Sequence, residues 1–391
     1  MKKQRFLRYL TTIGFLLLIG VFFLLSLHPF AAGGYRMLRD LLSGVPAGTA
    51  VIESVYNERL PAKNLLVTLN GGLQKLLGTR CLNDRYLLDN GQLTYIIDEY
   101  DMTDIGENTV ALRDALAQRG IPMVYVNALF KIDGEDKQLP VGVEDSSNEN
   151  ADRFLSVLRA RDVNVLDLRE AAHAQNLDYG ELFYRTDHHW KAETGFWAFR
   201  EIAAYLEQLD ASFAVDEAVT DTASYNHTVY EDIFLGTAGR RVGPLYSGWD
   251  DLTVISPKFA TDLRFSVPEE GLERTGAYED TILFPEFLTG GDDFTISRYD
   301  VYCGQDYGLL QISNRAADVT HKRILVLKDS FSSVVIPFLS LSYEELCFID
   351  LRVFSEDLLE FVEEYDPDLV MVLYNPGAYE NNNLAMFEFI K

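Results

Sequence analysis

The chain has 391 residues, with 60 Asp and Glu against 34 Lys and Arg and a formal net charge of −26. A chain of this length is expected to form about two domains, or one domain with a large insertion around a sizeable core. The acidic balance would repel a phosphate backbone, and we therefore expect no nucleic-acid partner.

The first 30 residues predict a membrane anchor or an export signal. Lys2, Lys3, Arg5 and Arg8 precede an apolar run over residues 9–27. The run is near the ~20 residues that a helix needs to cross hydrocarbon, and its basic flank predicts that the rest of the chain is exported. We favour a single-pass anchor in the cell membrane, because the run exceeds the usual ~7–15 residues of a signal core. Small residues at 31–33 leave cleavage and secretion as the alternative.

Beyond this segment, residues 31–63 are interpreted as a stalk and entry segment, and residues 64–391 as one domain. Asn90-Gly91 predicts a hairpin, because both positions of its turn favour positive φ. Helical and strand patterns then alternate. The predicted helices cover 105–119, 150–161, 192–209, 331–341 and 355–365; the strands cover 123–126, 163–168, 324–327, 346–349 and 369–374. This order predicts a mainly parallel sheet covered on both faces.

A change of composition marks an insertion within the domain. From about residue 210 to 321, Gly, Pro, Asp, Thr and Tyr become frequent. Short alternating stretches such as 252–255 and 294–296 replace helical periods and indicate strands. We predict a β-rich insertion here.

Two segments carry candidate chemistry. His188 and His189 follow Asp187 just before the helix predicted at 192–209, and loop ends of this kind place side chains at clefts. Ser330 follows the strand at 324–327, at the strand end where ligands gather in open α/β sheets. Helix N-terminal amides at such a position stabilise an oxyanion.

Each segment also has a simpler interpretation. Ser330 or Asp329 is alternatively only a helix N-cap. Asp187, His188, His189 and Glu193 are alternatively metal ligands, although no third histidine has suitable spacing.

Together, Asp187-His188-His189-Trp190 and Lys328-Asp329-Ser330-Phe331-Ser332 resemble the family named for its Asp-His-His-Trp motif. They are also similar to the alginate acetylation proteins, which have an SGNH-hydrolase-like domain. The resemblance spans roughly residues 65–382 and implies an α/β fold with a flavodoxin-like, mainly parallel sheet and helices on both faces. SGNH hydrolases carry the Asp-x-His block after the serine, so a circularly permuted motif order is implied here.

Carried over residue by residue, the resemblance gives each side chain a role. Ser330 resembles the nucleophile, His189 the base that takes its proton, and Asp187 the residue that orients the imidazole. His188 fills the variable position of the motif and receives no catalytic role.

Three further residues are predicted to bind substrate. Asn375 closes the last strand and is a candidate oxyanion donor, with a turn-forming role as the alternative. Trp190 either packs beneath the site or contacts substrate. Lys328 replaces the glycine of many SGNH serine blocks and bears on the shape of the oxyanion pocket.

The resemblance implies an extracytoplasmic O-acetyltransferase or acetylesterase that acts on a cell-surface, cell-wall or exported polysaccharide through an acyl-serine intermediate, without a metal or other cofactor. The expected partners are the polysaccharide acceptor, a membrane-bound O-acyltransferase as acyl supplier, and the membrane itself through the N-terminal helix. The alternative is a non-catalytic glycan-binding or scaffold protein of a polysaccharide modification or export complex.

Overall fold

The computed structural model describes residues 2–44, 48–60, 62–379 and 385–390. They form two compact units, Met1–Leu73 and Gln74–Lys391. Three helices begin in the first unit: α1 (Lys2–Leu42), α2 (Thr49–Arg59) and α3 (Lys63–Leu76). Within the described residues, the segment Tyr9–Leu42 is the one helix long and apolar enough to cross a membrane, and an N-terminal signal sequence would meet the same criteria. The predicted boundaries at residues 30 and 63 stay predictions.

The second unit contains the strands β1 (Cys81–Leu82), β2 (Arg85–Leu87), β3 (Leu93–Thr94), β4 (Met123–Asn127), β5 (Asn164–Asp167), β6 (Tyr225–Phe234), β7 (Asp250–Pro257), β8 (Leu263–Val267), β9 (Leu272–Gly276), β10 (Leu309–Asn314), β11 (Thr320–Lys328), β12 (Tyr343–Ile349) and β13 (Leu369–Tyr374). Its remaining helices are α4 (Thr103–Ala117), α5 (Ser147–Ala160), α6 (Leu168–Ala174), α7 (Tyr179–Leu182), α8 (Ala192–Leu209), α9 (Glu217–Thr220), α10 (Thr237–Val242), α11 (Pro244–Ser247), α12 (Tyr278–Thr281), α13 (Ile336–Ser342) and α14 (Leu358–Tyr365).

An eight-stranded sheet forms the centre of this unit, in the order β5-β4-β13-β11-β12-β10-β8-β9. The first five strands are parallel to their neighbours, whereas β10, β8 and β9 continue the sheet in antiparallel pairs. The predicted mainly parallel sheet is confirmed.

The order of the parallel strands also confirms the circular permutation. Read from the other side, they run β12-β11-β13-β4-β5. If β11 is counted as the first strand, this is the 2-1-3-4-5 order of a flavodoxin-like sheet, with β4 and β5 as its fourth and fifth strands. In the chain, however, β4 and β5 come before β11. The strand that leads to Ser330 is therefore the topological first strand.

Helices cover both faces of the sheet. Successive residues of a strand point to opposite faces, so each strand contributes to the core on both sides. Ile324 and Val326 belong to the core cluster that includes buried residues of α8 and α13. Leu325 and Leu327 belong to the cluster on the other face, with residues of α4, α5 and α14. This explains why β11 is apolar throughout its buried part.

The predicted β-rich insertion contains β6 to β10. β6 and β7 form an antiparallel ribbon, and the other three strands extend the central sheet. The stretch 252–255 lies within β7, but the strand predicted at 294–296 is wrong. Asp292 accepts the N–H of Phe294 through Oδ1 (3.0 Å) and folds the stretch into a turn.

Three local expectations also need correction. The hairpin at Asn90-Gly91 forms between β2 and β3, but only Gly91 has positive φ, and Leu88 accepts its N–H in a tight turn. The helix predicted at 331–341 is divided into a 3-10 turn, Ser330–Val334, and α13, which has a proline in its first turn. Asp357, rather than Ser355, caps α14 by accepting the N–H groups of its first turn.

Candidate active site

The Asp-His-His-Trp segment is a loop closed by an isolated antiparallel bridge between Phe183 and Trp190, just before α8. A carboxylate from the insertion holds this loop: Asp250 accepts the N–H groups of Arg185 and Thr186, each at 2.7 Å. The loop conformation therefore depends on a residue 60 positions or more away in the chain.

The structure brings Asp187, His189 and Ser330 into one hydrogen-bonded line. His189 Nε2 lies 2.7 Å from Ser330 Oγ, and its Nδ1 lies 2.6 Å from Asp187 Oδ1. With Nδ1–H donated to the carboxylate, Nε2 carries the lone pair that accepts a proton from the hydroxyl. This arrangement has the geometry of an activated serine nucleophile.

Asp187 is held as a buried carboxylate. Oδ1 also accepts the His189 N–H (3.0 Å), and Oδ2 accepts the N–H of Thr237 at 2.6 Å. Burial opposes ionisation, but the neighbouring His188 and His189 and these donors outweigh it, so the pKa of Asp187 lies well below its usual range. The carboxylate therefore remains charged where it fixes the His189 tautomer.

Tyr299 completes the surroundings of the imidazole. Its ring stacks on His189 with the ring centroids 4.3 Å apart and the planes 13° from parallel. Phe331 lies against the same imidazole at 5.2 Å. Tyr299 comes from the insertion and was not predicted, because nothing in its local sequence distinguishes it from the other tyrosines.

Ser330 sits at the carboxyl end of β11, between β12 and β13, at the point where the strand order reverses. Asp329 takes the N-cap role: its Oδ1 accepts the N–H of Phe331 at 2.9 Å. The Ser330 hydroxyl is thus left for His189. Ser330 is partly exposed, although Asp329 and Phe331 beside it are buried.

Asn375 binds Asp329, the residue that caps the serine turn. Its N–H and Nδ2 both donate to Asp329 Oδ2, at 2.7 and 2.6 Å, and its Oδ1 accepts the N–H of Gly377. The amide therefore ties the end of β13 to the residue that caps the serine turn. These contacts give Asn375 a positioning role, and its contact with substrate stays a prediction.

The substrate contacts predicted for Trp190 and Lys328 are wrong. Trp190 is fully buried and donates its indole N–H to the carbonyl of Phe331 at 2.8 Å, so it supports the serine turn from inside the core. Lys328 is buried with its ammonium on Asp306 and 3.7 Å from Asp350. Both side chains are therefore inaccessible to substrate.

A metal could be considered at this site, since the candidate ligand atoms of Asp187, His188 and His189 lie within 4.8 Å of one another. However, both oxygens of Asp187 accept N–H groups, and His189 faces Ser330 with its second nitrogen. His188 Nδ1 lies 3.1 Å from the hydroxyl of Thr237. These contacts engage most of the available ligand atoms and favour the serine interpretation.

Lys131 is a buried residue of the site that the sequence did not single out. Its Nζ donates to the main-chain oxygens of Leu93, Tyr184 and Asp187 at 2.5 to 2.7 Å. The ammonium therefore holds the loop before His189 against β3.

Comparison with known proteins agrees with the fold described above. Residues 70–234 match the family model of the SGNH hydrolase-like domain of acetyltransferase AlgX. The fold is similar to that of Bacillus cereus PatB1, with 22% identity, a TM-score of 0.65 and coverage of 78% of this chain and 99% of PatB1. A second structure of PatB1, with a sulfonyl adduct, has a TM-score of 0.64, 22% identity and coverage of 78% and 98%.

A DHHW family protein from Eubacterium siraeum is similar at 16% identity and a TM-score of 0.58, with 79% of this chain and 99% of that protein covered. No curated protein matches the chain significantly. These findings confirm the resemblance stated from the sequence, the SGNH-hydrolase-like fold and the prediction of an acyltransferase enzyme.

Proposed function

We propose that this protein transfers an acetyl group to a hydroxyl of a cell-surface or exported polysaccharide, outside the cytoplasm, through an acyl-serine intermediate on Ser330. The observation that carries the proposal is the 2.7 Å separation between His189 Nε2 and Ser330 Oγ, with Asp187 on the other ring nitrogen. The N-terminal helix supports a position at the membrane.

In the first half-reaction, Ser330 Oγ attacks the acetyl carbonyl of the donor while its proton passes to His189 Nε2. The carboxylate of Asp187 stabilises the imidazolium that forms. As the tetrahedral intermediate collapses, the bond to the leaving group breaks and His189 returns the proton to that group. Ser330 is left as an acetyl ester.

In the second half-reaction, a sugar hydroxyl gives its proton to His189 and attacks the acetyl-serine carbonyl. The ester bond to Ser330 breaks, and Oγ takes the proton back from the imidazolium. Ser330 is the first residue of a 3-10 turn, where a backbone N–H has no acceptor within the turn, so its own N–H is a donor for the oxyanion. Water in place of the sugar would make the same site an acetylesterase.

The acyl donor is proposed to be an acetyl ester or thioester supplied by a membrane-bound O-acyltransferase. The AlgX domain match supports a polysaccharide as acceptor. The chemistry at His189 requires only an activated carbonyl from the donor and a hydroxyl from the acceptor.

The test is acetylation of the purified full-length chain by p-nitrophenyl acetate. We expect release of p-nitrophenol and, by peptide mass spectrometry, one acetyl group on Ser330. Ser330→Ala should lose both while keeping its thermal unfolding profile, and Ser333→Ala, in the same turn, should keep both. Because PatB1 has been solved with a sulfonyl adduct, an aryl sulfonyl fluoride is a second probe for Ser330.

Undiminished turnover in Ser330→Ala would remove this serine from the mechanism. A wild-type protein that acquires no adduct and turns over no ester, yet binds polysaccharide, would instead be the glycan-binding or scaffold protein of the alternative hypothesis.

A further inference from the structure

An open cleft of about 940 Å³ adjoins the candidate triad. Two of its lining residues, His188 and Thr237, also contact the triad. The His188 ring lies 3.9 Å from the His189 ring, and the N–H of Thr237 donates to Asp187. A molecule held in this cleft is therefore close to the reactive hydroxyl, and the volume exceeds what an acetyl group alone would fill.

Three arginines line the cleft: Arg85 from β2, and Arg240 and Arg241 from α10. The Arg241 carbonyl accepts the side-chain amide of Asn83 at 2.7 Å, which holds α10 against the turn before β2. β2 and α10, which are more than 150 residues apart in the chain, thus place the guanidinium groups of their arginines around the same cleft.

These arginines lack the acidic partners that the composition would lead one to expect. Among the described residues, no carboxylate oxygen lies within 4.0 Å of a guanidinium nitrogen of Arg85, Arg240 or Arg241, although the chain has 60 acidic residues. Arg85 lies instead 5.6 Å from the ring centroid of Tyr95, and Arg240 donates to the carbonyl of Thr295 at 3.3 Å.

Two further observations indicate that the positive charge here is only partly compensated. The Nε of Arg240 is buried without a hydrogen-bond partner among the described residues. Burial and the neighbouring Arg241 both lower the pKa of Arg85, although Tyr95 and the carboxylates of Asp84 and Asp187 oppose them in part. Asp84 and Asp98 also line the cleft, so its formal charge is slightly positive on a protein of net charge −26.

We propose that this cleft binds an anionic group, a carboxylate or a phosphate, of the acceptor polysaccharide through Arg85, Arg240 and Arg241. The inference rests on the proposed function and adds the substrate class. A guanidinium group pairs two of its N–H donors with two oxygens of a carboxylate or a phosphate. Tyr95 lines the same cleft, where its aromatic ring is available to add an apolar contact with a sugar. An anionic sugar held there would present a neighbouring hydroxyl to His189.

The experiment measures binding and transfer separately, so that failure of one is not confused with failure of the other. Full-length Ser330→Ala is titrated by calorimetry with three oligosaccharides of equal length: a uronic acid oligomer, a neutral hexose oligomer and a phosphate-bridged oligomer. At least one anionic oligomer should bind about tenfold or more tightly than the neutral one, because charge-assisted hydrogen bonds to the guanidinium groups are absent from the neutral oligomer. The preferred anion identifies carboxylate or phosphate as the recognised group.

The arginines are then tested in the same background. Arg241→Gln and Arg240→Gln should each reduce the ratio of anionic to neutral affinity about tenfold, whereas Arg264→Gln, an exposed arginine paired with Glu273 in the antiparallel part of the sheet, should not. In the wild-type chain, kcat/KM for acetyl transfer to the anionic oligomer, divided by that for the neutral oligomer, should match the ratio of their affinities. Equal affinity for charged and neutral oligomers, or a ratio that the arginine variants leave unchanged, would overturn the inference even if Ser330 is acetylated normally.

Discussion

The Nζ atom of Lys131 lies 2.7 Å from the main-chain oxygen of Asp187. The same atom also donates to the carbonyls of Leu93 and Tyr184 and lies 3.3 Å from that of Arg185. Burial lowers the pKa of Lys131 to about 7, but these oxygens favour the ammonium, because a neutral amine has only two N–H donors for four acceptors. A buried cation therefore fixes the loop that carries Asp187 and His189.

Replacing this cation should disorder the loop that carries Asp187 and His189. Lys131→Met leaves four carbonyls without their shared donor, and we expect the free energy of unfolding to fall by roughly 2–4 kcal/mol. The value of kcat for p-nitrophenyl acetate should fall about 100-fold, because a displacement of Asp187 and His189 by about 1 Å costs that much. Lys258→Met, which removes an exposed lysine bound to one carbonyl, is the matched control. A Lys131→Met variant with normal kcat would show that the loop holds its shape without the cation.

The sequence predicted the triad but not the residues that support it, for physical reasons. Ser330 and His189 lie in segments whose local pattern, a strand end and a helix start, is visible in the chain itself. Lys131 follows a strand and resembles any solvated lysine there, since its acceptors lie 38 to 56 positions away. Its burial depends on how β3 and the loop before α8 meet, which no local pattern encodes.

The same limit explains the errors around the site. Trp190 and Lys328 are adjacent to candidate catalytic residues, and adjacency suggested contact with substrate. Both side chains are instead buried, because the indole N–H of Trp190 binds the carbonyl of Phe331 and the ammonium of Lys328 binds Asp306, and both partners are distant in the chain. The permuted strand order, by contrast, followed from the order of the two motifs, because that order fixes which strand is topologically first.

A single methyl group at Gly236 should displace Asp187. A Cβ at this position would lie 2.5 Å from Asp187 Oδ2 and 2.7 Å from its Cα, while the φ of −70° is open to any residue. Gly236→Ala should therefore cost about 1–3 kcal/mol of stability through overpacking, and kcat should fall by roughly 100-fold.

Gly48→Ala is the control for that substitution, because its Cβ would meet nothing within 4 Å. If Gly236→Ala retained full turnover, the carboxylate of Asp187 would not need the position that it occupies beside His189.

Trp190→Phe separates a positioning role from a substrate contact. The substitution removes the indole N–H donated to Phe331 and leaves a small cavity, so we expect a loss of about 1–3 kcal/mol in stability. Because Trp190 orders the serine turn without meeting substrate, kcat for p-nitrophenyl acetate should fall while KM stays the same. Trp197→Phe, which loses an indole bond to Gln175 outside the site, is the control. A raised KM with normal kcat would restore the substrate contact that the buried position of Trp190 argues against.

Asp300 should make the stability of the fold depend on pH near the site. Burial, together with the charge of Asp306, raises the pKa of Asp300 to about 6, although Ser297, His189 and Arg240 oppose this. An unfolded aspartate titrates near ~3.9, so the folded state binds more protons between these values and its stability falls as pH rises through this window.

Asp300→Asn removes this dependence. Below about pH 4 the variant and the wild type should unfold at similar denaturant concentrations, whereas above about pH 6 the variant should be more stable by about 1–2 kcal/mol once solvent screening is allowed for. The measurement is a series of denaturant titrations from pH 4 to 8, with the exposed Asp318→Asn as the control. If the difference between wild type and Asp300→Asn did not change with pH, the pKa of Asp300 would be the same in the folded and unfolded states, and its burial would not favour the protonated acid.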